Sequence, residues 1–240
     1  MNQYLYAIVD RMPAAWHPPA TGLGDASVVP RRVQDVVVLG SLLDVVPPAN
    51  PRTLAIHHDI VATVMDAAAV LPFRYGTTVP AGALPDWLQA HRAAMTTALG
   101  AVRDCIEMSV KLLRLDCAVD APPAGRDRRR DEPAREAGLD TRELQALADA
   151  LIERAALPRW RYRPAGSSGN VAASIAFLVP RAELTAFLAR IAPVASHAAG
   201  IAVVPTGPWP PYSFVPDFER SPLARVSAPL RDVAEGRRAV

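Results

Sequence analysis

Proline interrupts this sequence so often that no helix or strand can run far without a break. The chain contains 24 prolines in 240 residues, about twice the usual share of 5%. Because proline fixes φ and has no backbone N–H to donate, it ends helices sharply and is excluded from the middle of a sheet. The sequence therefore predicts short elements joined by stiff connections.

Residues 1–117 alternate between the period of a strand and the period of a helix. Val- and Ile-rich runs occur early in the chain, and Ile106, Met108 and Val110 alternate with polar residues near the end of this part. Between them, apolar residues recur at helical spacing. The predicted elements are strands at 4–9, 33–39, 70–79 and 105–117 and helices at 56–68 and 84–99. This β-β-α-β-α-β order predicts an α+β domain, a small and mostly antiparallel sheet with its helices on one face, as a variant of the ferredoxin-like pattern.

Residues 140–218 repeat the strand–helix–strand order of the first part. Asp140, with Glu143 three residues later, fits the start of a helix that carries an apolar stripe. The following predicted elements are a buried strand at 171–179, a helix after Pro180 and a strand at 200–204. We predict a second α+β domain here.

The segments outside the two domains differ in composition. Residues 118–139 combine arginines, interleaved acidic residues and prolines without a hydrophobic period, which predicts a flexible charged linker. An arginine contact with nucleic acid is the alternative, although the neighbouring acids weaken the positive field. Residues 219–240 form a Pro- and Arg-rich tail, which we expect to be partly disordered.

Charge, hydropathy and cysteine content argue against several classes of protein. The formal net charge is +2, which argues against general binding to nucleic acid or to acidic membranes. The sequence shows no secretory signal and no apolar run of about 18–20 residues. Cys105 and Cys117 are the only cysteines, and they form neither a disulfide framework nor a metal motif. These features predict a soluble cytoplasmic protein with free thiols.

The sequence contains no pattern typical of an active site. Nucleotide-binding loops and a nucleophile elbow are absent. His57 and His58 are adjacent, and adjacent helical residues point about 100° apart, so the pair cannot readily share a metal. We therefore predict no enzyme activity, no cofactor and no metal. The alternative hypothesis is that Arg74, His57 and Glu107 converge at one end of the first sheet as a small-ligand or catalytic site.

The most unusual segment is TGPWPPYSFV at residues 206–215, called the Pro-aromatic segment below. Its prolines favour an extended, polyproline-type path and exclude it from the centre of a sheet. Trp209, Tyr212 and Phe214 are large rings on a stiff backbone, which suits an interface because little entropy is lost on binding. The same rings suit a clasp that closes the core of the second domain. Both interpretations stay open, and Trp209–Pro210 is a candidate for a cis peptide bond.

The Pro-aromatic segment resembles the TGPWPPY-F-V motif near the end of the gas vesicle GvpL/GvpF family. Further matches follow in the family's order, namely YLYAIV at 4–9, a helix headed by His57, VLPFRYGT at 70–77, IEMSVK at 106–111 and AFLV at 176–179. Tyr75 stands where the family usually has Phe, and residues 11–32 and 118–139 look unlike the family.

The resemblance implies a non-enzymatic accessory or minor structural protein of gas vesicles, with an N-terminal α+β domain and a C-terminal ferredoxin-like domain. It implies binding to the vesicle shell protein and to other accessory proteins during vesicle assembly, without a nucleic-acid or membrane partner. The candidate partner-binding or fold-marker residues are Arg74, Tyr75, Trp209, Pro210, Pro211, Tyr212 and Phe214.

Overall fold

The computed structural model describes residues 1–115, 141–164, 170–196, 200–216 and 218, and these form two antiparallel sheets with α-helices packed on them. The α+β class predicted from the sequence is confirmed. The predicted linker at 118–139 and the predicted tail at 219–240 lie outside the described residues. None of the helices within the described ranges is long and apolar enough to cross a membrane.

The first sheet is built around β1, its central strand. Its strands are β1 (Asn2–Val9), β2 (Val29–Val33), β3 (Val36–Leu43), β4 (Val70–Pro72) and β5 (Thr78–Pro80). β3 pairs with one side of β1 and carries β2 at its outer edge, while β4 and β5 share the other side of β1. The sequence predicted a loop in the region where β2 begins. It also predicted one extended segment at 70–79, where the structure has β4 and β5 separated by a turn.

Helices cover both faces of the first sheet. α1 (Pro51–Ala62) contributes Ile60 and Val61 to a core that includes Tyr4 and Tyr6. α2 (Leu84–Ala90) and α3 (Arg92–Val102) lie in another core with Leu5 and Ile8. This differs from the expected arrangement with helices on one face. The reason is that β1 is buried along nearly its whole length, so both of its faces need apolar cover.

The second sheet has the ferredoxin-like order of elements. Along the chain these are β6 (Cys105–Arg114), α4 (Thr141–Ala155), β7 (Trp160–Pro164), β8 (Val171–Pro180), α5 (Leu184–Ser196) and β9 (Ile201–Trp209). This is the β-α-β-β-α-β pattern, and the strands lie in the order β7-β8-β6-β9. α4 and α5 pack on one face of this sheet. The opposite face is called the outer face below.

The assignment of the strand at 105–117 to the first sheet was wrong. β6 pairs with β8 and β9 of the second sheet, with Ile106 opposite Val179 and Val110 opposite Ile175. A period of two identifies a strand but carries no information about its partners. Only the long-range pairing reveals that β6 is the first strand of the second domain.

Direct bonds join the two domains where α3 leads into β6. The amide of Asp104 donates to the carbonyl of Ala68 at 2.6 Å, and the amide of Arg181 donates to the carbonyl of Asp104 at 2.9 Å. Arg159 donates to the carbonyl of Ala101 at 2.6 Å, and the Arg181 side chain donates to the carbonyl of Met65. These bonds place the outer face of the second sheet against the first domain.

Candidate functional site

The Pro-aromatic segment begins in β9, the edge strand of the second sheet. β9 tolerates Pro205 and Pro208 because, among the described strands, it pairs with β6 alone. Gly207 has a φ of 127°, and a Cβ there would lie 2.8 Å from Met108 Sδ and 2.9 Å from the carbonyl oxygen of Glu107. Only glycine fits this close approach. The cis peptide bond is Gly207–Pro208, so the expectation at Trp209–Pro210 was wrong.

The aromatic residues of the segment reach helix α1 of the first domain. His58 lies with its ring centroid 5.2 Å from that of Trp209 and 6.3 Å from that of Tyr212, and it is stacked on the Tyr212 ring. Pro210 and Pro211 between them are buried, whereas Trp209 keeps 38% of its surface exposed. The segment therefore bridges the second domain and α1.

A buried carboxylate holds the segment after Tyr212. Glu107 Oε2 accepts from the amide of Ser213 at 2.7 Å, and Oε1 accepts from the Ser213 hydroxyl at 2.8 Å. Burial raises the pKa of Glu107, and the two Ser213 bonds and the charge of Arg163 oppose that rise. β6 thereby fixes the position of a residue 106 places further along the chain.

The end of the segment joins the core at the domain junction. Arg161 lies over the ring of Phe214, 5.5 Å from its centroid, which is within cation–π range. Phe214 and Val215 pack against a core that contains Phe218, three residues beyond the segment. The ring centroid of Phe218 is 5.8 Å from that of Trp87 and 6.1 Å from that of Phe73. Leu178, on the outer face of the second sheet, belongs to the same core. The segment therefore closes the junction between the two domains, whereas the clasp expected from the sequence would close the core of the second domain alone.

His57 is a buried, fully bonded residue of the first domain. Its Nε2 lies 3.0 Å from the carbonyl oxygen of Phe73, so Nε2 carries the proton, and Nδ1 accepts from the Tyr4 hydroxyl at 2.8 Å. Tyr4 in turn accepts from the amide of Gly76 at 3.2 Å. Burial lowers the pKa of His57 to about 4 and raises the pKa of Tyr4. Both groups are therefore neutral at physiological pH.

Arg74 and Tyr75 lie in the turn between β4 and β5 and face different surroundings. The Tyr75 hydroxyl donates to the carbonyl of Pro47 at 2.8 Å, and its ring packs against His57 with centroids 5.8 Å apart. The Arg74 side chain is exposed. Within the described residues its guanidinium has no ion pair or hydrogen bond. Tyr75 thus belongs to the fold, while Arg74 is available at the surface.

The alternative site of Arg74, His57 and Glu107 is not assembled. His57 is buried against Tyr4 and Phe73, Glu107 is buried against Ser213, and Arg74 faces solvent. Among the described residues, no group of His, Cys, Asp and Glu side chains is placed to hold a metal ion. Sequence reasoning missed Ser213 and Phe218 as parts of the junction. One feature of the sequence could have indicated Ser213. Glu107 lies between apolar neighbours on a predicted strand, and a buried carboxylate needs a hydrogen-bond partner.

The fold and this junction define a two-domain α+β protein. Its Pro-aromatic segment joins the second, ferredoxin-like domain to helix α1 of the first domain. The crystal structure of gas vesicle protein GvpF from Anabaena sp. PCC7120 has this fold, with a TM-score of 0.68 at 19% identity over 97% of this chain and 99% of that one. GvpF from Microcystis aeruginosa gives a TM-score of 0.66 at 15% identity over 90% of this chain and 99% of that one.

Sequence comparison gives the family. Residues 2–216 match the family described as gas vesicle synthesis protein GvpL/GvpF, and the chain belongs to that family. It is 25% identical to gas vesicle protein L2 of Halobacterium salinarum, over 90% of this chain and 92% of the relative. It is 29% identical to gas vesicle protein F of a Streptomyces species, over 90% of this chain and 100% of the relative. The resemblance inferred from the Pro-aromatic segment is confirmed.

Proposed function

We propose that this chain is an accessory or minor structural protein of gas vesicles that binds the vesicle shell protein and other accessory proteins during assembly in the cytoplasm. The observation that carries the proposal is the family match over residues 2–216. A non-enzymatic role is consistent with the polar groups of the candidate site, since His57 and Glu107 are each bonded inside the fold.

The proposed contact surface for the shell protein crosses the domain junction. Leu54 is 45% exposed on α1, and Trp209 is 38% exposed beside His58. Leu54 precedes His58 by four residues and therefore lies on the same side of the helix. The exposed Leu54 and Trp209 and the half-buried His58 form a strip at the surface that we call the junction strip. Large apolar side chains left at the surface of a rigid scaffold are typical of protein interfaces.

The first experiment removes the chain from a host that forms gas vesicles. We expect vesicles to be absent or misshapen by electron microscopy, and restoration when the chain is supplied again. Normal vesicles in the deletion strain would overturn the proposed role in assembly.

The second experiment tests the junction strip by capture of the purified shell protein. We expect Leu54→Glu and Trp209→Ala to reduce capture. Leu42→Glu and Trp160→Ala are matched controls, because Leu42 and Trp160 are 43% and 39% exposed on other surfaces, and we expect them to retain capture. Thermal unfolding of each variant separates a lost contact from a lost fold. Equal losses in the folded controls would contradict the strip as the binding surface.

A further inference from the structure

The outer face of the second sheet is only partly covered by the junction. At one end, Glu107 lies beneath Ser213 and Leu178 lies in the junction core. Further along β6, Lys111 is paired with Ser174 on β8, and Ser174 is paired with Arg163 on β7. Residues an even number of places apart on a strand share a face. Lys111 therefore lies on the same face as Glu107, at the end that the Pro-aromatic segment does not reach.

This open end of the outer face carries positive charge and apolar surface together. The side chains of Lys111 and Arg163 are exposed. Leu113 continues the same side of β6. Leu115 follows the last residue of the strand, its amide donates to the carbonyl of Gly200 at 3.1 Å, and 54% of its surface is exposed. Neither leucine belongs to a core cluster of the described residues. We call Lys111, Arg163, Leu113 and Leu115 the basic row.

Acidic side chains are missing from the described strand residues of the outer face, with the exception of Glu107. Glu107 is buried and already accepts two bonds from Ser213. Arg163 is close enough to Glu107 for its charge to lower the pKa of that carboxyl, whereas Lys111 has no acidic neighbour among the described strand residues of this face. No ion pair of either residue is found in the described part of the chain.

We propose that the basic row binds an extended segment of a partner protein that presents acidic residues and then apolar residues at every second position, all on the face turned to the sheet. Side chains on one face of a strand recur about every 7 Å. A carboxylate over Lys111 is therefore followed, at the same spacing, by apolar side chains over Leu113 and Leu115. Neighbouring strands lie about 4.8 Å apart, so Arg163 and Lys111, with β8 between them, are roughly 10 Å apart at the backbone. That spacing suits two separate carboxylates on a polypeptide.

A nucleic acid fits this surface less well than a polypeptide. Proteins that bind single strands on an open sheet stack the bases on exposed aromatic rings. The basic row contains no aromatic residue, and the nearby rings of Trp209 and Phe214 pack against His58 and Arg161. The net charge of the whole chain is only +2.

The test uses the full-length chain and a fluorescein-labelled peptide with the sequence Glu-Ser-Glu-Ser-Val-Ser-Val, in which glutamates and valines share one face of an extended chain. Binding is followed by fluorescence anisotropy at low salt. Reversing the charges with Lys111→Glu and Arg163→Glu together is expected to weaken binding by about tenfold or more. Arg154→Glu is the matched control, because Arg154 is exposed on α4, on the opposite face of the sheet. We expect that variant to bind as the wild type does.

Lys111 is the only lysine in the chain, which allows the contact to be located chemically. Carbodiimide joins a carboxylate to a nearby amine, and mass spectrometry is expected to find the peptide attached at Lys111. Lys111→Arg keeps the charge, so it is expected to retain binding and lose that attachment. Absent binding, equal loss with Arg154→Glu, or attachment only at the Met1 amine would overturn the proposal. Tighter binding of a single-stranded oligonucleotide, or self-association that depends on Lys111, would also overturn it.

Discussion

Glu107 and Ser213 are joined by two hydrogen bonds, 2.7 Å and 2.8 Å long, between β6, one of the two inner strands of the second sheet, and the Pro-aromatic segment. The carboxylate is buried, so its bonds to Ser213 determine whether the segment stays on the junction. Because both donors, the amide and the hydroxyl of Ser213, are neutral groups, an uncharged glutamine can still pair with them.

The first prediction separates hydrogen bonding from charge at Glu107. Glu107→Gln keeps an oxygen for the Ser213 amide, and the Ser213 hydroxyl can rotate to accept from the new amide group. We expect this variant to change the free energy of unfolding by less than about 1 kcal/mol, and Glu107→Ala to lower it by about 2–4 kcal/mol. Urea denaturation measures both, and equal losses in the two variants would show that the charge itself is essential.

The difference in stability between the wild type and Glu107→Gln should depend on pH with a defined sign. Burial raises the pKa of Glu107 above its ordinary value of 4.5. The folded state then holds this proton more tightly than the unfolded chain, so the contribution of Glu107 to stability falls as pH rises through that window. Glu107→Gln lacks this loss. As the pH rises from 4.5 to neutral, we expect the free energy of unfolding of the variant to increase relative to that of the wild type. A difference that does not change with pH would contradict a raised pKa of the buried Glu107.

The second prediction concerns Gly207. Its φ of 127° and the short distances from a Cβ to Met108 and Glu107 make any side chain both strained and crowded. We expect Gly207→Ala to lower the free energy of unfolding by about 1–3 kcal/mol. Gly100→Ala is the control, because Gly100 lies in α3 with no atom within 4 Å of its Cβ position, and it should be neutral or stabilising. Similar losses in both variants would refute the argument.

The sequence could predict more of the fold than of the site. The apolar run at Tyr4–Val9 and the alternation from Ile106 to Leu112 are local signals, and both segments are strands. Which sheet a strand joins depends on pairing across more than 60 residues, as between Ile106 and Val179, and no local pattern carries that information. For this reason β6 was placed in the wrong sheet.

The candidate site was predictable only as a family marker. The rings and prolines of the Pro-aromatic segment are visible in the sequence, but their contact with His58 and the bonds between Ser213 and Glu107 arise from tertiary packing. The same holds for the alternative site, since the sequence cannot show that His57 is buried while Arg74 is exposed. Whether Arg74 and Trp209 contact a partner stays a prediction.

The third prediction follows from the buried His57. Its pKa is about 4 in the folded protein and 6.5 without perturbation. The unfolded chain therefore binds the proton more readily, and stability present above pH 6.5 is lost as pH falls towards 4. We expect His57 alone to account for a loss on the order of 3 kcal/mol across that range. Urea denaturation at several pH values measures it.

A variant without His57 isolates this contribution. His57→Phe should be less stable at neutral pH, because the Tyr4 hydroxyl and the Phe73 carbonyl lose their partner. It should also lose less stability than the wild type on acidification. His17→Gln removes an exposed histidine and should keep the wild-type pH dependence. An unchanged pH dependence in His57→Phe would show that His57 is not the titrating group.

The last prediction distinguishes two neighbours that the sequence grouped together, Arg74 and Tyr75. Tyr75→Phe removes the hydroxyl that donates to Pro47 and should lower the free energy of unfolding by about 0.5–1.5 kcal/mol without changing capture of the shell protein. Arg74→Glu alters an exposed side chain and should change stability by less than about 0.5 kcal/mol. If Arg74 contacts the partner, as the sequence predicts, this variant should reduce capture. Wild-type capture by a folded Arg74→Glu protein would remove Arg74 from the candidate partner-binding residues, while a large loss of stability would assign it to the fold.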